Sequence, residues 1–485
     1  MQEPELIYKF LENNINVHPE AYKELLNLDE SKIERIITKA KEKKAFILTL
    51  SHLKELEREV IVVRRRKRAL AEEYDAEIKI KKDITNKSNS RGNVESFVEY
   101  FNDRYDRLSK ILRDRESLKD ASTIEVIKRQ NYKEVKLIGI VNDKRVSQKG
   151  NIILELEDPT GTILAIIMAN ESELLKISKE IVKDEVVGIY GIRINSDMII
   201  VKEIFFPDIR IDKEQKRVDI PISLVLISDI HIGSAKFMYN EFEKFIRWIN
   251  CEIGSNKQRE LAERVKYLVI GGDLVDGVGI YPGQEKELLI KDIHKQYDEL
   301  WKFISRIPEH IEIIVIPGNH DATRQAEPQP AISREFAEHF YEDPRVHMVG
   351  NPCLFSIHGV DVLTYHGRSL DDLVSNIPGY TYETPEKAMI CLLRKRHLAP
   401  LYGDKVPLAP ESYDYLLIDE PPDILHMGHI HTVGISHYRG VTVVNSGTFQ
   451  KQTSFQKRHN LTPDPGKIPV IDLDTYRTTI MRFVI

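Results

Sequence analysis

The stretch SLVLISDIHIGS, residues 223–234, decides how the larger part of the chain is interpreted. A short apolar run ends in Asp229 and His231, which is the form of a buried β-strand that carries polar side chains at its carboxyl end. Four later apolar runs end in the same way. The residues that follow them are Asp273 after KYLVIGG, Asn319 and His320 after IEIIVIPG, His366 after VDVLTY, and His429 and His431 after DILHMG. From about Ile220 onward, apolar runs alternate with helical stretches, which predicts an α/β sandwich with a crevice at these strand ends.

These side chains have the composition of a metal-binding set. Carboxylate, imidazole and amide oxygen without thiolate suit divalent ions such as manganese, and also iron, zinc or magnesium. Two ions roughly 3.5–4 Å apart, joined by a shared carboxylate, clamp a phosphate and activate a water for in-line attack. Taken singly, each residue is better explained as a structural histidine or a helix-capping aspartate than as a metal ligand. Five strands in succession with such an ending favour a two-metal site.

The composition bounds the alternatives. A chain of 485 residues is long enough for two or three domains, and its formal net charge of −6 excludes a uniformly basic nucleic-acid-binding surface. The three cysteines, Cys251, Cys353 and Cys391, form no CxxC pair, which argues against a disulfide framework or a thiolate zinc site. The sequence shows neither a signal peptide nor an apolar run of transmembrane length, so we expect a soluble, cytoplasmic protein with no membrane partner.

The composition and the apolar pattern of the sequence change several times before residue 220. The domains that we predict are a helical N-terminal domain at 1–58, a charged helix or linker at 59–92, a connecting helix at 93–132, an OB-fold domain at 133–219 and the α/β domain at 220–485. The basic run Arg64–Arg68 in the second segment has two explanations, which are contact with phosphate and a solvated helix face.

The OB-fold prediction rests on the order of the elements. Five β-rich runs lie between residues 133 and 206, and a helical patch, ESELLKISKEI at 171–181, follows the third run. A tight-turn signal, Asp158-Pro159-Thr160-Gly161, separates the second run from the third. This order is typical of the OB barrel, a fold often used to bind oligonucleotides. Because aromatic stacking residues are few, the barrel either contacts nucleic acid or only packs on its neighbours.

The strand-end motifs D-x-H, GGD, GNHD, HG and GHxH, in this order, resemble the signature of the calcineurin-like metallophosphoesterases. The similarity extends from about Ile220 to Ile485 and implies a four-layer α/β sandwich that holds two metal ions. By this resemblance, Asp229, His231 and His431 hold the first metal, Asn319, His366 and His429 hold the second, and Asp273 bridges them. His320 is implied to stabilise the transferring phosphate or to protonate the leaving oxygen, and Asp321 to orient His320 or to cap a helix.

The architecture as a whole narrows the substrate class. The motifs GGDLVDGVG and VIPGNHD lack the two arginines that protein phosphatases of this superfamily usually carry, which argues against a phosphoprotein substrate. The domain order, together with ELEDPTGTI, PGNHDATRQAEPQP and MGHIHTVG, resembles the small subunits of archaeal DNA polymerase D. That resemblance implies a manganese-dependent 3′→5′ exonuclease that proofreads DNA ends for a separate large polymerase subunit, with a sliding clamp or primase reached through the holoenzyme.

Two other functions stay open from the sequence. One is a scaffold subunit with an idle metal site, which the retention of all seven ligand residues disfavours, and the other is a stand-alone nucleotidase or phosphatase. Basic residues near the predicted crevice either guide a nucleic-acid strand or are ordinary surface charges. They are Arg324, Arg368 and Arg394-Lys395-Arg396.

Overall fold

The computed structural model describes residues 3–26, 30–42, 46–53 and 69–484. The chain divides into two compact units, Met1–Ala69 and Leu70–Ile485. The basic run Arg64–Arg68 lies outside the described residues. In the described part of the chain, no helix is long and apolar enough to cross a membrane.

The described helices and strands have the following bounds. The helices are α1 (Glu3–Leu11), α2 (Pro19–Leu25), α3 (Glu30–Glu42), α4 (Val94–Arg113), α5 (Ile124–Arg129), α6 (Ser172–Lys179), α7 (Tyr239–Ile249), α8 (Asn256–Glu263), α9 (Ile293–Ile304), α10 (Glu338–Glu342), α11 (Leu370–Asn376), α12 (Pro385–Lys395) and α13 (Ser454–Arg458). The strands are β1 (Asn16–Val17), β2 (Ile47–Leu48), β3 (Ile78–Lys82), β4 (Glu134–Val146), β5 (Ile152–Asp158), β6 (Gly161–Ile167), β7 (Val186–Arg193), β8 (Met198–Phe205), β9 (Ser223–Ile227), β10 (Val265–Gly271), β11 (Glu312–Ile316), β12 (Val346–Met348), β13 (Cys353–Ile357), β14 (Val360–Thr364), β15 (Ile424–Met427), β16 (Gly434–Tyr438), β17 (Val441–Asn445), β18 (Lys467–Asp472) and β19 (Thr478–Arg482).

The first unit packs α1, α2 and α3 around a small apolar core. Strands β1 and β2 pair in parallel beside these helices. Apolar residues recur at helical spacing in α1 and α3, so each helix turns one face inward. The buried core residues are Leu6, Phe10, Ile15, Ala21, Leu25, Ile33, Ile36, Ile37, Ala40, Leu48 and Leu53.

The predicted five-stranded barrel is confirmed. Strands β4, β5, β6, β8 and β7 pair in that order, and the β7–β4 pair closes the barrel. Helix α6 follows β6, the third barrel strand, as predicted. Alternate residues of β5 and β6 fill the interior, because successive side chains of a strand point to opposite faces. They include Leu154, Leu156, Ile163, Ala165 and Ile167.

The segment predicted as a charged helix or linker, 59–92, contributes a strand instead. Strand β3, with the sequence IKIKK, pairs with β13 at the edge of a six-stranded sheet, and Ile78 lies opposite Ile357. Lysines are common on edge strands because their charge discourages pairing with another chain. Here they gave the segment the composition of a linker. The sheet region therefore begins before residue 220, where we predicted the α/β domain to start.

Two six-stranded mixed sheets form the rest of the second unit. Their strand orders are β12-β11-β10-β9-β18-β19 and β16-β17-β15-β14-β13-β3. Strands β9 to β12 are parallel to one another, and so are β14, β15 and β17. The sheets pack face to face, with Leu226 and Val269 of the first in one cluster with Phe355 and Val362 of the second.

Helices cover the outer face of each sheet. Phe242 of α7 and Leu300 of α9 belong to the cluster on the first sheet, and Leu373 of α11 and Leu392 of α12 to the cluster on the second. The order of layers is therefore helix, sheet, sheet, helix. This packing buries the central strands of both sheets on both faces, and polar side chains gather at the strand ends.

Candidate metal centre

All eight predicted site residues lie on turns that follow parallel strands. Strands β9, β10, β11, β14 and β15 each end two to four residues before at least one of them. Five of the eight have a left-handed backbone, namely Asp229 (φ 53°), His231 (55°), Asp273 (52°), His429 (65°) and His431 (61°). Positive φ is uncommon for residues other than glycine, and such strain concentrates at functional sites. The turns are therefore built to aim side chains and not merely to connect strands.

Asp229, His231 and His431 form the first group of candidate ligands. Nε2 of His231 lies 3.1 Å from Nε2 of His431, and Oδ1 of Asp229 lies 3.3 Å from Nε2 of His431. That Oδ1 atom is buried and has no hydrogen-bond partner among the described residues. The other oxygen, Oδ2, accepts hydrogen bonds from the Ser228 hydroxyl and from the backbone N–H of His429. A buried carboxylate oxygen without a donor is costly, and a cation would satisfy it.

Asp273, Asn319, His366 and His429 form the second group. Nε2 of His366 lies 3.1 Å from Oδ1 of Asn319 and 3.4 Å from Oδ2 of Asp273. The same Asp273 oxygen lies 3.7 Å from Nε2 of His231, so this carboxylate stands between the two groups. Potential ligand atoms of Asp273, His366 and His429 all lie within 4.8 Å of one another. The structure thus brings all seven predicted ligands to one place.

Two histidines of the second group have their other ring nitrogen engaged. Nδ1 of His366 donates to the carbonyl oxygen of Gly271 at 2.9 Å, which leaves the Nε2 lone pair facing Asn319. Nε2 of His429 lies 3.0 Å from Oδ2 of Asp371, which leaves Nδ1 available. Metal-binding histidines characteristically donate their second N–H to a carbonyl or a carboxylate. Asp371 was not predicted, because it lies within helix α11 and follows no apolar run.

Asp276 contacts two of the predicted site residues and was also missed. Its Oδ1 lies 3.2 Å from Nδ1 of His231, and its carbonyl oxygen accepts a hydrogen bond from Nδ1 of His320 at 2.8 Å. Because a carbonyl can only accept, Nδ1 of His320 carries the hydrogen and Nε2 is left to bind or release a proton. The sequence offered one signal for Asp276, since it lies three residues after Asp273 in GGDLVDG.

Asp321 plays a different part from the one predicted. Its Oδ2 accepts hydrogen bonds from the backbone N–H groups of Gly318 at 2.8 Å and Leu274 at 3.2 Å, and its Oδ1 accepts from the Tyr297 hydroxyl at 3.0 Å. The carboxylate therefore ties together the turns that carry Asp273 and Asn319. The prediction that it orients His320 or caps a helix is wrong, because Asp276 holds the His320 ring and residues 321–337 contain no helix.

The buried carboxylates favour the protonated form of two candidate ligand histidines, His231 and His366, so a cation that bound them would displace a proton from each. Burial alone would lower the pKa of His231, but the Asp276 and Asp273 carboxylates outweigh it and raise that pKa to about 9. Burial likewise opposes the charged form of His366, and Asp273 raises its pKa to about 10. In return, although burial favours the neutral acid, the charge of His366 holds the pKa of Asp273 well below its usual range.

The pKa values of three further buried groups are shifted in different directions by their surroundings. Burial raises the pKa of a carboxyl, yet the neighbouring His431 brings that of Asp229 down to about 2. Burial lowers the pKa of His320, and the negative charge of Asp273 offsets this only in part. Burial and the same Asp273 charge raise the pKa of Asp321 to about 7. His320 is therefore neutral at physiological pH in this environment.

The segment VNSGTF, residues 444–449, braces the Asp229 turn. The Thr448 hydroxyl donates to the carbonyl oxygen of Asp229 at 2.7 Å, and the backbone N–H of Phe449 donates to the same oxygen at 3.0 Å. The hydroxyls of Ser446 and Ser228 lie 2.6 Å apart, and Ser228 also bonds to the Asp229 carboxylate. These bonds fix the backbone that holds the first candidate ligand.

Two explanations were left open for Arg394-Lys395-Arg396, a guide for the strand and an ordinary surface charge, and neither fits the buried Lys395 and Arg396. Lys395 and Arg396 are only 2% and 5% exposed, and both Arg394 and Lys395 are engaged by acidic residues of the barrel, Glu180 and Glu185. Three consecutive cations are typical of an exposed surface. Here Arg394 and Lys395 instead connect the end of helix α12 to the barrel.

The two remaining predicted guides differ from each other. Arg324 is held by the Glu411 carboxylate at 2.9 Å and by the carbonyl oxygen of Pro328. Arg368 is half-buried and, among the described residues, bonds only to Gln325, whose side chain donates to the carbonyl oxygen of Asn319.

Comparison with known proteins finds a family that matches the region of the candidate site. Residues 224–433 match the family of the B subunits of DNA polymerases alpha and epsilon, and this region contains all eight predicted site residues. The two-sheet α/β region of this chain is therefore similar to the B subunits of these DNA polymerases.

Three archaeal relatives make the relationship specific, and each is called DNA polymerase II small subunit. The protein of Methanothermobacter thermautotrophicus is 42% identical over 96% of this chain and 98% of its own length. Those of Archaeoglobus fulgidus and Methanocaldococcus jannaschii are 46% and 44% identical over 81% and 83% of this chain, and 78% and 68% of their own. The chain belongs to the archaeal family of DNA polymerase II (polymerase D) small subunits, as its sequence motifs predicted.

Proposed function

We propose that this chain is a two-metal phosphodiesterase of the calcineurin-like type that removes nucleotides from DNA 3′ ends and so proofreads for the polymerase of which it is a subunit. The observation that carries the proposal is the convergence of seven candidate ligands with oxygen and imidazole donors from five strand ends, among them a buried carboxylate oxygen of Asp229 that no described residue hydrogen-bonds. A subunit with only a scaffold role gains nothing from five left-handed turns that gather such groups.

The donor chemistry fits two divalent cations. Asp229, His231 and His431 would hold the first, Asn319, His366 and His429 the second, and Asp273, which faces both groups, would bridge them. Oxygen and imidazole donors without thiolate favour manganese, with iron, zinc or magnesium as other candidates. When bound, such a pair of ions neutralises phosphate charge and lowers the pKa of water.

His320 supplies the proton in the proposed reaction. Its Nδ1–H is fixed on the Asp276 carbonyl, so Nε2 is the atom that meets the phosphodiester. A water molecule adds to phosphorus and loses a proton to solvent as the bond to the 3′-oxygen of the penultimate nucleotide breaks. That 3′-oxygen leaves with the proton from Nε2 of His320, and the product is a 5′-mononucleotide. Burial disfavours the imidazolium, so the approach of the phosphate's negative charge is needed to load the proton.

The proposed assembly has two subunits. Nucleotide addition belongs to a separate large subunit, and this chain binds that subunit and a single-stranded or mispaired DNA 3′ end. Contact with a sliding clamp or a primase would occur through the assembled enzyme. Arg368 is placed to guide the strand, because it is half-buried beside the second ligand group and has no carboxylate partner within residues 69–484.

The test is trimming of a mispaired primer by the chain co-purified from its native source with its partner. We expect trimming to require manganese, to stop on chelation, and to fall about 100-fold or more in Asp273→Asn and His320→Gln variants that still bind the partner. Glu309→Gln, an exposed substitution outside the site, is the matched control. Trimming by Asp273→Asn at the wild-type rate would refute the site.

Other outcomes would select the other functions. Release of phosphate from nucleoside monophosphates, with DNA ends intact, would identify a nucleotidase. An absence of trimming by the wild-type complex with manganese present would identify a scaffold.

A further inference from the structure

Tyr297, whose hydroxyl bonds Asp321, also lines a cavity. This cavity occupies about 200 Å³ between helix α9 and the segment 335–340. The cavity is separate from the candidate ligands, none of which lines it. It uses residues that neither the sequence motifs nor the proposed hydrolysis explains.

Aromatic rings form the walls of this cavity. His294 and Phe336 stack with their ring centroids 5.1 Å apart and an interplanar angle of 23°, and Trp301 and His339 stack at 6.1 Å and 22°. Trp301 and Phe336 are half-buried, so part of each ring remains accessible from the cavity. Flat, accessible π faces bind planar or cationic groups better than they bind aliphatic ones.

Carboxylates form the rim. Asp298, Glu335 and Glu338 line the cavity and are exposed, and the cavity lining contains no lysine or arginine. Within residues 69–484, no lysine or arginine forms an ion pair with any of the three, and the one partner is His339, at 4.0 Å from Asp298. A phosphate or a nucleic-acid backbone would be repelled from such a rim, whereas a cation would be attracted.

We propose that this cavity is the docking site for an arginine side chain of a protein partner. A guanidinium is planar and permanently charged, so it can stack on the rings while its N–H groups bond to the rim carboxylates. The volume suits one side chain and not a folded element. Tyr297 also lines the cavity. Its hydroxyl donates a hydrogen bond to Asp321 and accepts one from the backbone N–H of Ala322. A docked partner therefore reaches the same helix that supports the metal-centre turns.

Tryptophan fluorescence of the full-length chain tests this proposal directly. The chain has two tryptophans, and Trp248 is buried at 1% exposure, so Trp301 is the one that responds to a ligand in the cavity. The probe is the blocked tripeptide acetyl-Gly-Arg-Gly-amide. The matched control probe replaces arginine by citrulline, which has the same shape without the charge. We expect a saturable change in emission with the arginine peptide. The affinity for the citrulline peptide should be at least about tenfold lower, and Trp301→Phe should show no change in emission.

Variants assign the binding to the rim. The combined change Asp298→Asn, Glu335→Gln and Glu338→Gln should lower the affinity for the arginine peptide about tenfold or more, which corresponds to about 1.4 kcal/mol of binding free energy. The control pair Glu260→Gln and Glu309→Gln removes exposed carboxylates elsewhere and should leave binding unchanged. Equal binding of both peptides, an unchanged affinity in the rim variant, no saturable change, or a signal that persists in Trp301→Phe would overturn the proposal. Displacement of the peptide by a single-stranded oligonucleotide would overturn it too, in favour of a nucleic-acid site.

Discussion

At the scale of single residues, Asp371 decides how His429 can act. Its Oδ2 lies 3.0 Å from Nε2 of His429, and the pair leaves Nδ1 of that ring as the available lone pair. Carboxylate partners of this kind fix the tautomer and the orientation of a metal-binding histidine, and their loss typically weakens metal affinity 10–100-fold. We expect Asp371→Asn to weaken manganese binding about 10-fold or more, measured by calorimetric titration of the apo chain.

The neighbouring exposed carboxylate supplies the control. Glu383 lies beside Tyr382, which also interacts with Asp371. The substitution Glu383→Gln should leave the manganese affinity unchanged. Wild-type affinity in Asp371→Asn would mean that His429 needs no support from this carboxylate. Calorimetry reports binding itself, so the result does not depend on the nuclease assay.

The sequence predicted the site residues that follow apolar runs and missed those that do not. Asp229 and His366 each stand two residues beyond a buried strand, and a strand end in a parallel sheet has a known position. Asp276 and Asp371 act through contacts with residues distant in the sequence, such as Oδ1 of Asp276 with His231. No local pattern marks such a contact. Arg396 shows the same limit, because a buried cation and a surface cation have identical sequence patterns.

At the scale of elements, helix α4 joins parts of the second unit through one buried arginine. Arg104 is fully buried on the same helix face as Tyr100 and Leu108. Its guanidinium donates to Asp414 at 3.1 Å, to the carbonyl oxygen of Asp184 at 2.9 Å and to the Tyr100 hydroxyl at 2.6 Å. The amphipathic spacing predicted this helix. It did not predict that a cation lies within the buried face, where its charged partner Asp414 is 310 residues away in the sequence.

Replacement of Arg104 by an uncharged residue should strongly destabilise the second unit. In Arg104→Met the Asp414 carboxylate stays buried without its charged partner, and breaking a buried pair in this way costs about 3–5 kcal/mol. We expect the free energy of unfolding of the second unit, measured by urea denaturation, to fall by that amount. Arg129→Met is the control, because Arg129 pairs with Glu125 on an exposed helix surface where such pairs contribute about 0–1 kcal/mol. A loss in Arg104→Met no larger than in Arg129→Met would contradict this role.

At the scale of the whole molecule, His397 makes the stability of the second unit depend on pH. Its ring is buried between Asp414 and the backbone, where Nδ1 accepts from the N–H of Ala399 at 3.0 Å and Nε2 donates to Asp414 at 2.7 Å. Both nitrogens are therefore satisfied in the neutral ring. Burial first, and then the charge of Arg104, lower the pKa of His397 to about 4, with Lys82 acting in the same direction and Asp414 opposing them.

The unfolded chain binds this proton at a pKa of about 6.5, and the folded chain only near 4. Above 6.5 the ring is neutral in both states, so the contribution of His397 is constant. As the pH falls from 6.5 to 4 the unfolded state gains the proton first, and about 3 kcal/mol of unfolding free energy is lost. We expect urea denaturation to show this loss in the wild type and a slope smaller by about one proton in His397→Gln. An unchanged slope in His397→Gln would show that this ring is already charged in the folded protein.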